Sequence, residues 1–306
     1  MTTGPVLFHI GLPKTGTTSL QETLRGWPNT AAKPFDRPGG LDGRRVQEAA
    51  VAGTLTGTDL DRHLAASRTD PDLPVVFSAE ALAGTPREWF LPLASPAEMA
   101  AQVAATGWDA RVLVTLRQPR PWLRSNHRFF VRGGYAETYD RFLTRTVADI
   151  DAGRGMASWD VTVAAYDAAF GADAVAVVWF EDLIRDAAAV WRGVAARLDL
   201  PGLDRLGAVP LPRHNDAAVG HPALELTLNR RLLATELRPR PRPRPLRRPV
   251  WNRRIAPRLV RRSSEAWFTD RTTTAEPAVV DRLATMAEDL VRAHGAAVPA
   301  GLDLRA

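Results

Sequence analysis

The fold of this 306-residue chain is decided by the stretch Pro5-Val-Leu-Phe-His-Ile-Gly-Leu-Pro-Lys-Thr-Gly-Thr-Thr-Ser-Leu-Gln21. The apolar run 6–10 has the length and β-branched content of a buried strand, Gly11 ends it, and helical patterning begins at Ser19. The turn between them carries glycines, a lysine and threonines, so that backbone N–H groups and the positive end of the helix converge on one point. The stretch therefore predicts a site for a phosphate or sulfate group, with a polar turn that binds nothing as the alternative.

The order of residues in this loop differs from that of the ATP-binding P-loop, in which the lysine follows the second glycine. Here the order is Gly11-x-x-Lys14-Thr15-Gly16-Thr17-Thr18, which makes an ordinary ATPase the second choice. The only lysines among the 40 basic residues are Lys14 and Lys33. Because lysine supplies a compact, mobile charge and arginine a planar fork, we expect Lys14 to take part in chemistry.

Composition is that of an ordinary globular protein, with 45% hydrophobic residues. The absence of cysteine excludes disulfides, thiol nucleophiles and cysteine metal sites, and agrees with a reducing compartment. No basic residue precedes the first apolar run, and no segment approaches the ~20 apolar residues of a membrane span, so a cytoplasmic location is expected. The net charge of +6 suits nucleic acid, a membrane or an acidic small molecule and does not choose among them.

Strand-like and helix-like segments alternate along the chain. Strands are predicted at 6–10, 74–80, 110–116 and 174–180, and helices at 96–106, 122–131, 135–150, 159–170, 186–198 and 277–294. Pro121 is expected to be the first residue of the helix over 122–131. The alternation predicts an α/β three-layer sandwich, with a mostly parallel central sheet flanked by helices on both faces.

A second candidate anion site follows the strand 110–116. An arginine leaves this strand and a serine follows eight residues later, in Arg117-Gln-Pro-Arg-Pro-Trp-Leu-Arg-Ser125. A guanidinium, a hydroxyl and a helix terminus can together hold one phosphate. Beyond it, Arg120, Arg124, Arg128 and Arg132 recur every four residues. We interpret them as a solvated helix face paired with acids such as Glu137 or Asp140.

The two motifs, about 100 residues apart, resemble the phosphate-binding motifs of sulfotransferases, the enzymes that use 3′-phosphoadenosine-5′-phosphosulfate (PAPS) as donor. The loop 11–18 is similar to their 5′-phosphosulfate loop, and Arg117, Pro119 and Ser125 match R-x-P-x-x-x-x-x-S, although Trp122 stands where the family often has arginine. Trp179-Phe-Glu-Asp-Leu183 resembles the family's Y-E-D-L element. Arg213-His-Asn215 resembles an R-x-N segment of bacterial members. The resemblance covers about residues 5–230.

The resemblance implies a P-loop-type fold and sulfuryl transfer from PAPS by in-line displacement, leaving the bisphosphate PAP. The acceptor would be a hydroxyl or amine of a carbohydrate, lipid or other small molecule. No metal is implied, because Lys14 supplies the charge at the leaving oxygen. The implied donor-binding residues are Lys14, Thr15, Gly16, Thr17 and Thr18 at the 5′ end, and Arg117 and Ser125 at the 3′-phosphate.

The general base is the least determined role. Glu80 is our choice, because it leaves the strand 74–80 where several sulfotransferases place theirs, although a helix cap is nearly as good an interpretation. Asp36, nearer the first loop, is the carboxylate alternative, and the histidine candidates are His63, His127 and His214.

We expect residues 1–306 to form a single domain, with an exposed Arg/Pro-rich segment at 238–262 and a helical tail at 263–306. Two other functions are carried as alternatives. One is a P-loop kinase or NTPase. The other is a non-enzymatic basic binding protein that uses 238–262, although no nucleic-acid partner is expected. The acceptor and the oligomeric state are left open.

Overall fold

The computed structural model describes residues 4–24, 26–32, 56, 58, 61–62, 65, 68–83, 95–133, 135, 137–209, 211, 275–296 and 304–305. Within these residues a five-stranded sheet forms the middle of the molecule. Its strands are β1 (Val6–His9), β2 (Thr30–Ala32), β3 (Val75–Ser78), β4 (Ala110–Leu116) and β5 (Val175–Trp179).

All strand pairs are parallel, and the order across the sheet is β2-β3-β1-β4-β5. In the register, His9 lies opposite Ser78 of β3 on one side and Leu113 of β4 on the other. The chain leaves β1 towards β2 and β3, and later crosses to β4 and β5 on its other side. A crevice at the carboxyl ends of the strands is therefore expected between β1 and β4, where ligands bind in open α/β sheets.

The strands connect through helices of ordinary length. These are α1 (Thr17–Leu24), α2 (Pro96–Ala104), α3 (Pro119–Gly133), α4 (Tyr139–Asp151), α5 (Trp159–Phe170), α6 (Phe180–Arg185), α7 (Ala187–Leu198) and α8 (Glu276–His294). Short 3₁₀ turns occur at Glu80–Ala83, Ala172–Ala174 and Leu203–Ala208.

Both faces of the sheet are covered and buried. Alternate residues of each strand point to opposite faces, so each strand contributes to two separate cores. In β1, Val6 and Phe8 join a cluster with side chains of α2, α3, α4, α5 and α8. Leu7 joins the opposite cluster with α1, α7 and the last 3₁₀ turn. This arrangement confirms the predicted three-layer α/β fold.

One sequence expectation about the elements is wrong, and one strand was not predicted. The helix after β4 begins at Pro119 rather than Pro121. Proline suits the first position of a helix, because a backbone N–H at that position would have no acceptor within the helix and none is lost. The three-residue β2 was not predicted, because the segment 25–62 carries no strand-length apolar run.

The last helix completes one of the two cores. Val279, Val280 and Leu283 of α8 are buried in the same cluster as β1 and α5, and Gly295 forms a parallel bridge to Val177 of β5. The helical part of the predicted tail is thus integral to the packing. The Arg/Pro-rich segment 238–262 lies outside the described residues.

Candidate active site

The loop between β1 and α1 has a tightly constrained backbone. Lys14 and Gly16 both adopt left-handed conformations, with φ of 66° and 84°. Thr15 holds the turn closed, because its N–H and its hydroxyl both donate to the carbonyl of Leu12, at 3.3 and 2.6 Å. Since α1 begins at Thr17, the first N–H groups of that helix have no partner within it and are available to an anion.

The two glycines of the loop are required by close neighbours. A Cβ at Gly16 would lie 1.9 Å from the ring of Phe180, the first residue of α6. A Cβ at Gly11 would lie 2.3 Å from the methyl group of Thr17 and 2.7 Å from Nε2 of His9. An aromatic ring packs against the loop at Gly16, and a histidine and a threonine methyl group pack against it at Gly11, which leaves no room for a side chain at either position.

Arg117 joins the second predicted site to this loop. It directly follows β4, and its Nη1 donates to the carbonyl oxygen of Lys14 at 3.1 Å. Its guanidinium also lies over the ring of Phe180, 5.8 Å from the centroid. Adjacent strands thus bring together two residues that are 103 positions apart in the sequence.

The charge of Arg117 is partly desolvated. Burial lowers the pKa of Arg117, and the nearby carboxylate of Glu181 opposes that shift. The two groups lie 3.9 Å apart, while Glu181 also accepts from the backbone N–H of Gln118 at 3.2 Å. Burial raises the pKa of Glu181. The guanidinium therefore lies between the carbonyl of Lys14, which accepts from Nη1, and the carboxylate of Glu181 on its Nε side.

The Lys14 ammonium lies on an aromatic ring. Its Nζ is 4.0 Å from the centroid of Phe129, a residue of α3 that is 39% exposed. Trp122 of α3 donates through Nε1 to the carbonyl of Pro13 at 2.9 Å. At the position where the family often has arginine, this chain therefore has a tryptophan that anchors the loop. Sequence reasoning did not predict either aromatic contact.

Glu80 is the first residue of the 3₁₀ turn after β3 and faces the loop. Its carboxylate accepts a hydrogen bond from the hydroxyl of Thr17. Thr18 is exposed at the start of α1, and Ser125 lies half-buried in the second turn of α3. The structure thus places Lys14, Thr17, Glu80 and Arg117 around one loop.

His9 is a buried residue that sequence reasoning passed over. Its Nδ1 lies 2.8 Å from the hydroxyl of Ser78, and its Nε2 lies 2.9 Å from the hydroxyl of Thr115. Burial lowers its pKa to about 3, so the ring is neutral at physiological pH. The available signal was a polar residue near the carboxyl end of each of three mostly apolar strands.

The remaining candidates lie elsewhere. His127 is buried in α3, with Nε2 2.9 Å from the carbonyl of Glu137 and its ring against Tyr139 and Phe142. Burial lowers its pKa, and its contacts are those of a packing residue. Asp36, His63, His214 and the segment Arg213-His-Asn215 lie outside the described residues.

The predicted pairing of the α3 arginines is different from that observed. Glu137 accepts two hydrogen bonds from Arg145 of α4, at 2.8 and 2.7 Å. Arg124 instead donates through Nε and Nη2 to Glu276 of α8, at 3.0 and 3.1 Å. Glu276 is 152 positions from Arg124 in the sequence, so the spacing of residues along α3 could not indicate this pair. The side chain of Arg132 lies outside the described residues.

No group of three or more His, Cys, Asp or Glu side chains with metal-binding geometry occurs in the part of the chain that the structure describes. None of the helices in those same residues is long and apolar enough to cross a membrane.

The sequence model of the sulfotransferase family matches residues 5–205, which include β1 to β5 and both candidate anion sites. The chain therefore belongs to the sulfotransferase family. None of the curated protein sequences compared with the chain matches it.

Solved structures that are similar to the chain include three sulfotransferases. The sulfotransferase from Alicyclobacillus acidocaldarius is 20% identical with a TM-score of 0.45, over 71% of this chain and 86% of that one. The sulfotransferase domain of the Synechococcus PCC 7002 olefin synthase is 14% identical with a TM-score of 0.39, over 76% and 95%. Mouse sulfotransferase SULT7A1, solved in complex with PAP, is 14% identical with a TM-score of 0.40, over 93% and 85%.

Proposed function

We propose that this sulfotransferase uses PAPS as its donor and transfers the sulfuryl group to a hydroxyl or amine of a small-molecule, lipid or carbohydrate acceptor. The observation that carries the proposal is the hydrogen bond from Arg117 to the carbonyl of Lys14, at 3.1 Å. It brings the two candidate anion sites together at the carboxyl ends of β1 and β4, and a donor with phosphate groups at its 5′ and 3′ positions needs two such sites close together.

The residues present fit such a donor. The first N–H groups of α1 and the left-handed backbone at Lys14 and Gly16 are proposed to cradle the 5′-phosphosulfate, with Thr17 and Thr18 at the start of that helix. The sequence also suggested Thr15, but its N–H and hydroxyl both donate to the carbonyl of Leu12, so its role is to close the turn. Arg117, which follows β4 beside the loop, and Ser125 on α3 are proposed to hold the 3′-phosphate. PAPS would supply an activated sulfuryl group and leave as PAP, and no metal is needed for that transfer.

Lys14 is proposed to stabilise the negative charge that gathers on the departing phosphate oxygen. The ammonium lies at the loop, on a flexible stem, and one of its contacts is the face of Phe129. A cation–π contact at a partly exposed site is worth about 0.5–1 kcal/mol. Fixed charges aimed at developing charge are generally a large contribution to catalysis.

Glu80 is proposed as the general base. The hydrogen bond from Thr17 holds its carboxylate beside the loop that carries Lys14, where the reacting atoms would meet. His127 is a weaker choice, because it is 1% exposed and bonded to a backbone carbonyl. Asp36, His63 and His214 stay as alternatives.

The proposal is tested by ligand-dependent thermal stability, since a ligand that binds only the folded state stabilises it. Adenosine 3′,5′-bisphosphate at 100 times its Kd should stabilise the protein by about 2.7 kcal/mol, a shift of several degrees, and AMP or ATP should do less. Arg117→Ala and Ser125→Ala should each reduce the shift, whereas Arg154→Ala, at an exposed arginine away from the loop, should not. Better protection by ATP, or an intact shift in Arg117→Ala, would show that the donor is not PAPS.

A further inference from the structure

Each of the three central strands carries a small polar or histidine side chain near its carboxyl end, and these three side chains meet. His9 of β1, Ser78 of β3 and Thr115 of β4 are each 1% exposed. The histidine ring bridges the two hydroxyls, with distances of 2.8 Å to Ser78 and 2.9 Å to Thr115. Ser78 also accepts from the side-chain amide of Gln21 at 3.3 Å, which extends the network to α1.

These three residues stand just before the three parts of the proposed site. Ser78 precedes Glu80 by two residues, Thr115 precedes Arg117 by two, and His9 precedes the loop at Gly11 by two. The ring also packs against the start of the loop, because a Cβ at Gly11 would be 2.7 Å from Nε2 of His9. The side chain of His9, itself at the end of β1, therefore bonds to residues at the ends of β3 and β4, the other two strands that lead into the proposed site.

An imidazole suits this position better than an apolar side chain of the same size. A neutral ring has one donor and one acceptor nitrogen, so it can bond to a hydroxyl on each side at once. Burying these polar groups is costly unless all are paired, and here each ring nitrogen has a partner. Displacing any one strand end breaks a buried hydrogen bond, which ties the three ends into one arrangement.

We propose that His9 is a positioning residue that holds the loop 11–16, Glu80 and Arg117 in their mutual placement by coupling the ends of β1, β3 and β4. The effect of this placement on donor binding rests on the proposed function, whereas the coupling of the three strand ends does not depend on it. Its effect is therefore measurable both without a ligand and with one.

The first experiment is amide hydrogen exchange without ligand, in wild type, His9→Phe and His294→Phe. His294 is a matched control because it is also a buried histidine, paired at 3.1 Å with Asp167 on α5 and remote from the three strand ends. The reporters are the amides of Ile10 and Ala79, which bond to the carbonyls of Leu113 and His9 across the strands.

In His9→Phe, exchange at both reporters should become about threefold to tenfold faster relative to the amide of Val190 in α7, which bonds to the carbonyl of Asp186. This is the fold-change expected for one lost hydrogen bond. His294→Phe should leave this ratio unchanged. An unchanged ratio in His9→Phe, or an equal rise at Val190, would overturn the proposal, because the ring would then add only general stability.

The second experiment measures affinity for adenosine 3′,5′-bisphosphate and for AMP by calorimetry. It uses Thr115→Val, which keeps the shape of the side chain and removes only the hydroxyl on the β4 side. This variant should bind AMP within about twofold of wild type and the bisphosphate about threefold to tenfold more weakly, because Arg117 follows the uncoupled strand. Wild-type affinity for both ligands would overturn the role of His9 in the donor site. If wild type does not prefer the bisphosphate over AMP, the proposed donor is wrong, and the exchange ratios still decide whether His9 couples the strands.

Discussion

Lys14 carries its charge on a backbone conformation that lysine rarely adopts. A left-handed φ of 66° costs a residue with a side chain about 1–2 kcal/mol. The conformation persists because the carbonyl of Lys14 is held by Arg117 and that of its neighbour Pro13 by Trp122. Such strained residues occur mostly at functional sites, where the surrounding structure determines them.

The first prediction separates the charge of Lys14 from its backbone. Lys14→Ala and Lys14→Gly should both lower the rate of PAP release from PAPS, measured with a panel of hydroxyl and amine acceptors, by about 10²–10³-fold. Only Lys14→Gly relieves the left-handed strain, so it should be at least as stable as Lys14→Ala in urea unfolding. Retained turnover in either variant would remove Lys14 from the mechanism.

The second prediction concerns His9 and pH. Its pKa is about 3 in the folded protein and close to 6.5 in the unfolded chain, so between these values the unfolded chain binds more protons. Stability should therefore be fully present above pH 6.5 and fall as the pH falls, by about 1.4 kcal/mol per pH unit from this residue alone.

The test is the pH slope of the free energy of urea unfolding between pH 5 and 6.5, compared in wild type and His9→Phe. The slope should be shallower in the variant by the contribution of His9. His127, whose pKa burial also lowers, contributes in the same direction and is common to both proteins. Equal slopes would mean that the His9 ring takes up its proton in the folded state.

Residues differ in how far the sequence reveals them. Lys14 could be singled out, because its rarity and its place between two glycines are local facts. His9, Phe129 and Trp122 could not, since their partners lie 69 to 115 positions away and depend on the strand order and on how α3 lies over the loop.

At the scale of elements, long segments with clear periodicity were predicted well. The bounds of β4 and α5 agree with the structure at both ends, and the start of α3 differs by two residues. The short β2 was missed because three residues carry no period, and it exists only through pairing with β3. Packing between helices distant in sequence was likewise beyond prediction, as the partner of Arg124 shows.

The third prediction concerns the attachment of α8 to α3. Glu276 is 0% exposed and accepts from both Arg124 nitrogens and from the hydroxyl of Tyr139, at 2.8 Å. Glu276→Gln removes the charge and one of the two acceptor oxygens, so Arg124 loses its counter-ion. This should destabilise the protein by about 1–3 kcal/mol in urea unfolding, since Arg124 is partly exposed.

A matched control is Glu288→Gln. Glu288 lies on the exposed side of the same helix and pairs with Arg305, which lies beyond the helix. Surface pairs contribute about 0–1 kcal/mol, so this variant should be close to wild type. Equal effects of the two substitutions would show that the buried pair contributes no more than a surface one.

At the scale of the whole molecule, the strand order explains why two distant motifs form one site. β1 and β4 are neighbours, so the loop after the first and the arginine after the second meet at the same edge of the sheet. The family match ends at residue 205, but residues beyond it belong to the hydrophobic core. Helix α8 packs on α3, α4, α5 and β5.

The last prediction is that the family-matched part of the chain is not a stable unit without α8. Val279, Val280, Leu283 and Leu290 bury their side chains against the sheet-side core, and each buried aliphatic side chain contributes about 1.5–3 kcal/mol. Their sum is comparable with the 5–15 kcal/mol that stabilises a typical domain. A chain ending at residue 211 should therefore lack a cooperative urea transition, and Leu283→Asp in the full chain should be strongly destabilised. Arg292→Ala, on the exposed face of α8, should unfold like wild type. A cooperative transition of near wild-type stability in the shortened chain would contradict this, and α8 would then be an accessory to a core that is already complete.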